Sequence, residues 1–151
     1  MISLNQLFEV KEPNYPDVHP DPKVNGIFVI QMHQANRAGL HYDIRLGHED
    51  VLKSWASRKL PELIDDLTQK IMLFQTPDHD PSWKDFQGKI DDGYGAGYVH
   101  IWDKGTFKEI YWKKDHISVE FTGSKIKGKY TFVLYPDKKS KETQWLFFKS
   151  K

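Results

Sequence analysis

The chain has 151 residues, 22 Lys plus Arg against 21 Asp plus Glu, and no cysteine. That length suits one domain with a single sizeable core. The composition excludes disulfide frameworks, thiolate metal sites and cysteine nucleophiles. The near-neutral charge argues against a basic wrapper of duplex nucleic acid while leaving room for a local cationic pocket. Aromatic residues at 14%, spread along the chain, argue against disorder. No apolar run approaches the ~18 residues of a membrane span, and the opening MISLNQLFEV lacks the charged start and apolar stretch of a signal peptide. The expectation is a cytoplasmic monomer without membrane contact.

In chain order, Ser3 is placed to cap a short helical turn carrying Leu4, Leu7 and Phe8. Pro13, Pro16, Pro20 and Pro22 then forbid a regular helix, which predicts an N-terminal arm over residues 1–25 and a folded domain over 26–151. From Gly26 the pattern has period two: Phe28, Ile30 and Met32 alternate with Val29, Gln31 and His33, and Leu40, Tyr42, Ile44 and Leu46 with His41, Asp43 and Arg45. Further strands are predicted at Val51–Ala56, Ile71–Gln75, Tyr98–Trp102, Thr106–Trp112, Ile117–Phe121, Lys129–Tyr135 and Trp145–Lys149. Turns are predicted at Asp103-Lys104-Gly105, Thr122-Gly123-Ser124 and Lys127-Gly128-Lys129, and a lysine-rich loop at Pro136–Glu142. Leu60, Leu63, Ile64 and Leu67 follow helical spacing, with Pro61 in the first turn. The fold class is mainly β: a single-domain, closed or partly closed β-barrel of about eight strands with one or two short helices, because closure removes exposed edges.

The chemistry concentrates in Leu40-His41-Tyr42-Asp43-Ile44-Arg45-Leu46. Alternate side chains of a strand share a face, so His41, Asp43 and Arg45 line up opposite four core-type residues. His41 and Asp43 are spaced to chelate one divalent metal, and Arg45 to hold an anion beside it by a two-pronged contact. The plainer reading is a solvated face with an Asp43–Arg45 pair. A short hairpin brings His33 to the same place, and two histidines with one carboxylate form an open metal site. His79 sits in the turn-rich Pro77-Asp78-His79-Asp80-Pro81 loop. Lys53 and Lys59 read as solvated when taken alone, and Gly93-Tyr94-Gly95-Ala96-Gly97 as a tight loop rather than a nucleotide fingerprint. His100 reads as packed beside Tyr98 and Trp102.

These pieces resemble, in order, the 3′-phosphoesterase domain found in bacterial ATP-dependent DNA ligase D and as stand-alone proteins. The matching motifs are Phe28-Val29-Ile30-Gln31 with His33, then Leu40–Leu46, Lys53-Ser54-Trp55-Ala56 with Lys59 and Pro61, and Asp78-His79. Asp85-Phe86-Gln87-Gly88, Gly93–Gly97, Trp102-Asp103-Lys104-Gly105-Thr106, Lys127-Gly128-Lys129 and Gln144-Trp145-Leu146 complete the series, from Gly26 to Lys149. The resemblance implies an enzyme dependent on Mn2+ or another divalent transition metal, which removes a 3′-terminal ribonucleoside and then the 3′-phosphate to leave a 3′-hydroxyl in DNA repair. It implies metal ligands His33, His41 and Asp43, catalytic Arg45 and His79, and phosphate-binding Arg45, Gln31, Lys59 and Lys70. His79 would donate to the phosphate or protonate the leaving oxygen. Implied partners are nucleic-acid 3′ ends and a DNA ligase or polymerase acting in trans. Lys70 stands where the family has arginine, Trp83 where it has tyrosine, and Thr76-Pro77 replaces a Glu-containing segment. A polar pocket in the barrel mouth is expected to hold the site. Two alternatives are carried: a non-catalytic module that binds nucleic-acid ends, and a non-haem iron oxygenase built on His41, Asp43 and His100.

Overall fold

Period-two alternation of large apolar and polar residues produces strands that must bury one face, and here they do so by closing on themselves. The computed structural model describes residues 18–59, 70–91, 96–136, 139 and 141–150. Its strands are β1 (Ile27–Ala35), β2 (Gly39–His48), β3 (Val51–Ser57), β4 (Ile71–His79), β5 (Gly88–Ile90), β6 (Gly97–Lys113), β7 (His116–Thr122), β8 (Lys127–Tyr135) and β9 (Gln144–Lys149). The order is β1-β2-β3-β4-β9-β8-β7-β6-β5, and β6 pairs back onto β1. Eight antiparallel strands therefore form a closed barrel, with β5 added at the edge of β6. Among the described residues the only helices are two 3-10 turns, η1 (Pro22–Val24) and η2 (Pro81–Asp85), and no helix is long and apolar enough to cross a membrane. The helix expected over Leu60–Leu67, the turn near Ser3 and most of the Gly93–Gly97 loop lie outside the described residues.

The interior is filled by one apolar cluster that includes Phe28, Ile30, Tyr42, Ile44, Leu46, Trp55, Val119, Phe121, Phe132 and Phe147. The alternate side chains of β1 and β2, among them Gln31, His33, His41, Asp43 and Arg45, consequently face outward. The expected polar pocket in the barrel mouth is thus corrected: aromatic and branched side chains occupy the inside, and the polar row lies on the outer wall. A second apolar cluster covers part of that wall, built from Val24 of η1, Leu52, Trp83 of η2, Ile90 and Val99, with Phe86 packed against it. Asp80 starts η2, its carboxylate accepting from the Ser82 N–H at 3.0 Å, with Pro81 at the first helical position.

The predicted turn at Asp103-Lys104-Gly105 is a bend within one 17-residue strand, β6, which leaves β1 and takes up β7 near Thr106. Two features make the bend. A Cβ on Gly105 would collide with the Thr122 carbonyl and crowd the Phe28 ring, so only glycine lets the strands cross there. Asp103, 4% exposed, accepts from the backbone N–H groups of Ser124, Lys125 and Ile126 at 2.8–2.9 Å, tying the bend to the loop after β7. Lys127-Gly128-Lys129 likewise opens β8 rather than forming a separate turn.

Candidate metal centre

The β1–β2 register places His33 directly opposite His41 and Gln31 opposite Asp43. One ligand atom from each of His33, His41 and Asp43 lies within 4.8 Å of the other two. His41 Nε2 is 3.4 Å and His33 Nδ1 is 3.8 Å from Asp43 Oδ2, with the imidazole centroids 4.7 Å apart. His41 Nδ1 faces the Gly39 carbonyl at 3.4 Å, which directs Nε2 into the cluster. Burial pushes the Asp43 carboxyl upward, but hydrogen bonds from His33 and His41 and the charge of Arg45 outweigh it and hold its pKa well below the usual range. Burial likewise pulls His41 down, and the hydrogen bond and charge of Asp43 more than reverse this, raising it above its ordinary value. The cluster therefore presents an ionised oxygen between two imidazoles, a donor set suited to a divalent ion with positions left open.

Arg45 flanks the cluster, with Nη2 3.6 Å from Asp43 Oδ2. Its guanidinium lies 5.0 Å from the centre of the Trp83 ring, and its Nε donates to Gln31 Oε1 at 2.7 Å. Gln31 is fully buried, and its amide nitrogen donates to the carbonyls of Trp83 (2.9 Å) and Phe86 (2.8 Å). Its polar atoms are thus engaged with Arg45, with Trp83 in the middle of η2 and with Phe86 just after it, so Gln31 positions Arg45.

His79, at the end of β4, packs edge-on against Trp83 with centroids 5.4 Å apart. Its Nδ1 is 2.7 Å from the Pro77 carbonyl. A carbonyl can only accept, so Nδ1 carries the proton and Nε2 is the acceptor. The neighbouring Asp78 is held by an ion pair to Lys53 at 3.0 Å. Burial, and then the Arg45 charge, push the His79 imidazole from 6.5 down to about 3, against the pull of the Pro77 carbonyl and Asp43. Between about pH 3 and 6.5 the unfolded chain then binds a proton that the native chain refuses, so stability falls as pH is lowered through that window. The thermal midpoint of the wild type is expected to drop more steeply from pH 6.5 to 3 than that of His79→Gln; parallel curves would show that burial of His79 is not responsible.

The structure brings His33, His41, Asp43, Arg45, Gln31 and His79 together. Lys59 and Lys70 are both exposed; Lys59 donates its backbone N–H to Ser57 Oγ, and Lys70 Nζ lies over the Phe148 ring at 5.2 Å. His100 is exposed rather than packed, and it pairs with Met32, on the face of β1 opposite to His33. That placement removes the ligand set of the oxygenase alternative. Trp83 is the contributor that sequence reasoning undervalued: it appears there only as a replaced tyrosine, while its ring lies against Arg45 and its carbonyl holds Gln31.

Fold and site together define a closed β-barrel protein with a candidate metal centre on its outer wall, beside a clamped arginine. The chain belongs to the DNA Ligase D 3′-phosphoesterase domain family, whose sequence model matches residues 31–134. It is 36% identical over 130 residues to the multifunctional non-homologous end joining protein LigD of Pseudomonas aeruginosa, which covers 82% of this chain and 15% of that protein. It is 37% identical over 123 residues to the multifunctional non-homologous end joining DNA repair protein LigD of Mycobacterium tuberculosis, covering 78% and 16%. With the Mycolicibacterium smegmatis LigD it shares 32% identity over 162 residues, covering 99% and 20%. The chain spans only 15–20% of the length of these relatives.

Proposed function

We propose that this protein is a divalent-metal-dependent phosphoesterase that heals 3′ ends of DNA or RNA for DNA repair, removing a 3′-terminal ribonucleoside, a 3′-phosphate, or both, to leave a 3′-hydroxyl. The observation that carries this reading is the convergence of His33, His41 and Asp43 within 4.8 Å, next to Arg45. The donor set fits Mn2+: two borderline nitrogens and one hard, ionised oxygen, with open positions for water and substrate. When bound, such an ion supplies Lewis-acid polarisation of a phosphate oxygen. Arg45 faces the same point with its planar fork held by Gln31 and Trp83, so it offsets charge that grows on the phosphate without reorganising. His79 starts neutral, with Nε2 as an acceptor. A hydrogen bond at Nε2 is therefore one it accepts, from a protonated phosphate oxygen or from water, and the donor role implied by the resemblance would need a proton delivered with the substrate. Water adds to phosphorus and the bond to the leaving oxygen breaks.

The test is the purified protein with Mn2+ on two primers, one ending in a 3′-phosphate and one in a single ribonucleotide. Shortened or dephosphorylated products with 3′-hydroxyl ends are expected, and none with chelator. Ends that bind but stay unchanged across metals and pH would leave a non-catalytic end-binding module instead. A ligase or polymerase partner in trans follows from the same reading, since a 3′-hydroxyl is what either would use.

A further inference from the structure

The metal cluster has two flanks. Arg45, His79 and Trp83 stand on one. On the other, His41 and Asp43 open into a pocket of about 650 Å3 whose walls include Phe74, Arg58, Lys141 and Glu142. The volume is that of sites for small organic ligands, far more than a terminal phosphate fills. Phe74 is half-buried and Arg58 is exposed. One guanidinium nitrogen of Arg58, Nη1, rests on the Leu40 carbonyl at 3.5 Å, parked over the end of the β1–β2 hairpin, so most of the donor fork is available at the pocket wall. Lys141 adds a second cation from the connection between β8 and β9. An aromatic ring and two cations lining one pocket are the composition that holds a nucleotide of a single strand, base on the ring and phosphate on the charges.

The geometry points to this pocket as a strand subsite, in which Phe74 stacks the base and Arg58 with Lys141 holds the backbone phosphate of the nucleotide on the 5′ side of the reacting phosphate. The inference rests on the phosphoesterase reading above and adds to it how a polynucleotide is told from a lone phosphate ester. A mononucleoside 3′-phosphate lacks the second phosphate and has nothing to offer Arg58 and Lys141.

Two measurements test it. The first is fluorescence anisotropy of a labelled oligodeoxynucleotide ending in a 3′-phosphate, which needs no turnover. For the Arg58→Ala/Lys141→Ala double variant the Kd is expected to rise at least ~10-fold, and the slope of log Kd against log salt to shrink by about 0.7 for the lost phosphate contact. Phe74→Ala is expected to raise Kd by a similar factor with the slope kept. Arg58→Lys/Lys141→Arg, which keeps both charges, is expected to keep the wild-type slope and shows that any loss is electrostatic rather than misfolding. The second is the ratio of KM for the oligonucleotide to KM for a mononucleoside 3′-phosphate, expected to grow at least ~5-fold in the double alanine variant. An unchanged Kd and slope, or equal KM changes on both substrates, would overturn the subsite. If the wild type turns over neither substrate while the binding results hold, the strand contact stands and the hydrolase reading is withdrawn.

Discussion

Asp43→Asn is expected to lose Mn2+ binding by at least ~100-fold and turnover by ~1000-fold, measured by isothermal titration and by end-healing on a 3′-phosphorylated primer. Asparagine keeps the shape and removes the charge. Asp43 Oδ2 is the common neighbour of His41 Nε2, His33 Nδ1 and Arg45 Nη2, at 3.4, 3.8 and 3.6 Å. Without it, two imidazoles remain as ligands and the Arg45 charge is left buried without its carboxylate, at a cost of about 3–5 kcal/mol. The sign of the pH effect is also fixed. The native pKa of Asp43 lies below its unfolded value, so its stabilisation is present above the ordinary carboxylate range and is lost as pH falls through the native pKa. Asp43→Asn should therefore be least destabilised relative to wild type in strong acid. Retention of metal affinity with a native circular dichroism spectrum would dismiss the ligand assignment.

Gln31→Leu should be nearly as damaging although the residue is fully buried. Leucine leaves the Nε of Arg45 and the carbonyls of Trp83 and Phe86 without the partners they have now. The expected penalty is about 3 kcal/mol in denaturant unfolding, together with a ~100-fold fall in kcat because Arg45 is no longer aimed. Gln31→Glu separates the two duties. It still accepts from Arg45 but cannot donate to the η2 carbonyls, so it should recover more turnover than stability. Equal loss of both in the two variants would mean that Gln31 acts only as core filling.

The candidate ligands were legible because they belong to one hairpin. Alternation over Leu40–Leu46 separates the apolar face from the row His41, Asp43, Arg45, and a short connection brings His33 across from His41. Barrel closure could be argued from the number of strands and the need to remove edges. Alternation also separates two faces, but it does not tell that Phe74, Thr76 and the polar row share the outside of the wall while aromatic side chains fill the inside; the strand register supplies that. The duty of Gln31 was illegible because its partners, Trp83 and Phe86, lie far along the chain. The bend in β6 was misread as a turn because Asp and Gly serve both; what decides is the approach of Thr122 and Phe28 to Gly105, a long-range contact.

The hairpin origin of the three ligands sets an order of assembly. His33 and His41 meet as soon as β1 pairs with β2, a local event with a small loop to close, whereas the other edge of β1 must wait for β6, which is made only after β2–β5 have been laid down. The nitrogen and carboxylate donors are thus gathered early, by neighbours in sequence. The η2 side of the arginine clamp and His79 arrive later, with η2 and the end of β4. A chain with only this hairpin paired would hold the three candidate ligands together with Arg45 and Gln31 and would lack the Trp83 and Phe86 carbonyls and His79, so the cation-binding donors and the groups that brace and complete the centre come from parts of the fold made at different stages.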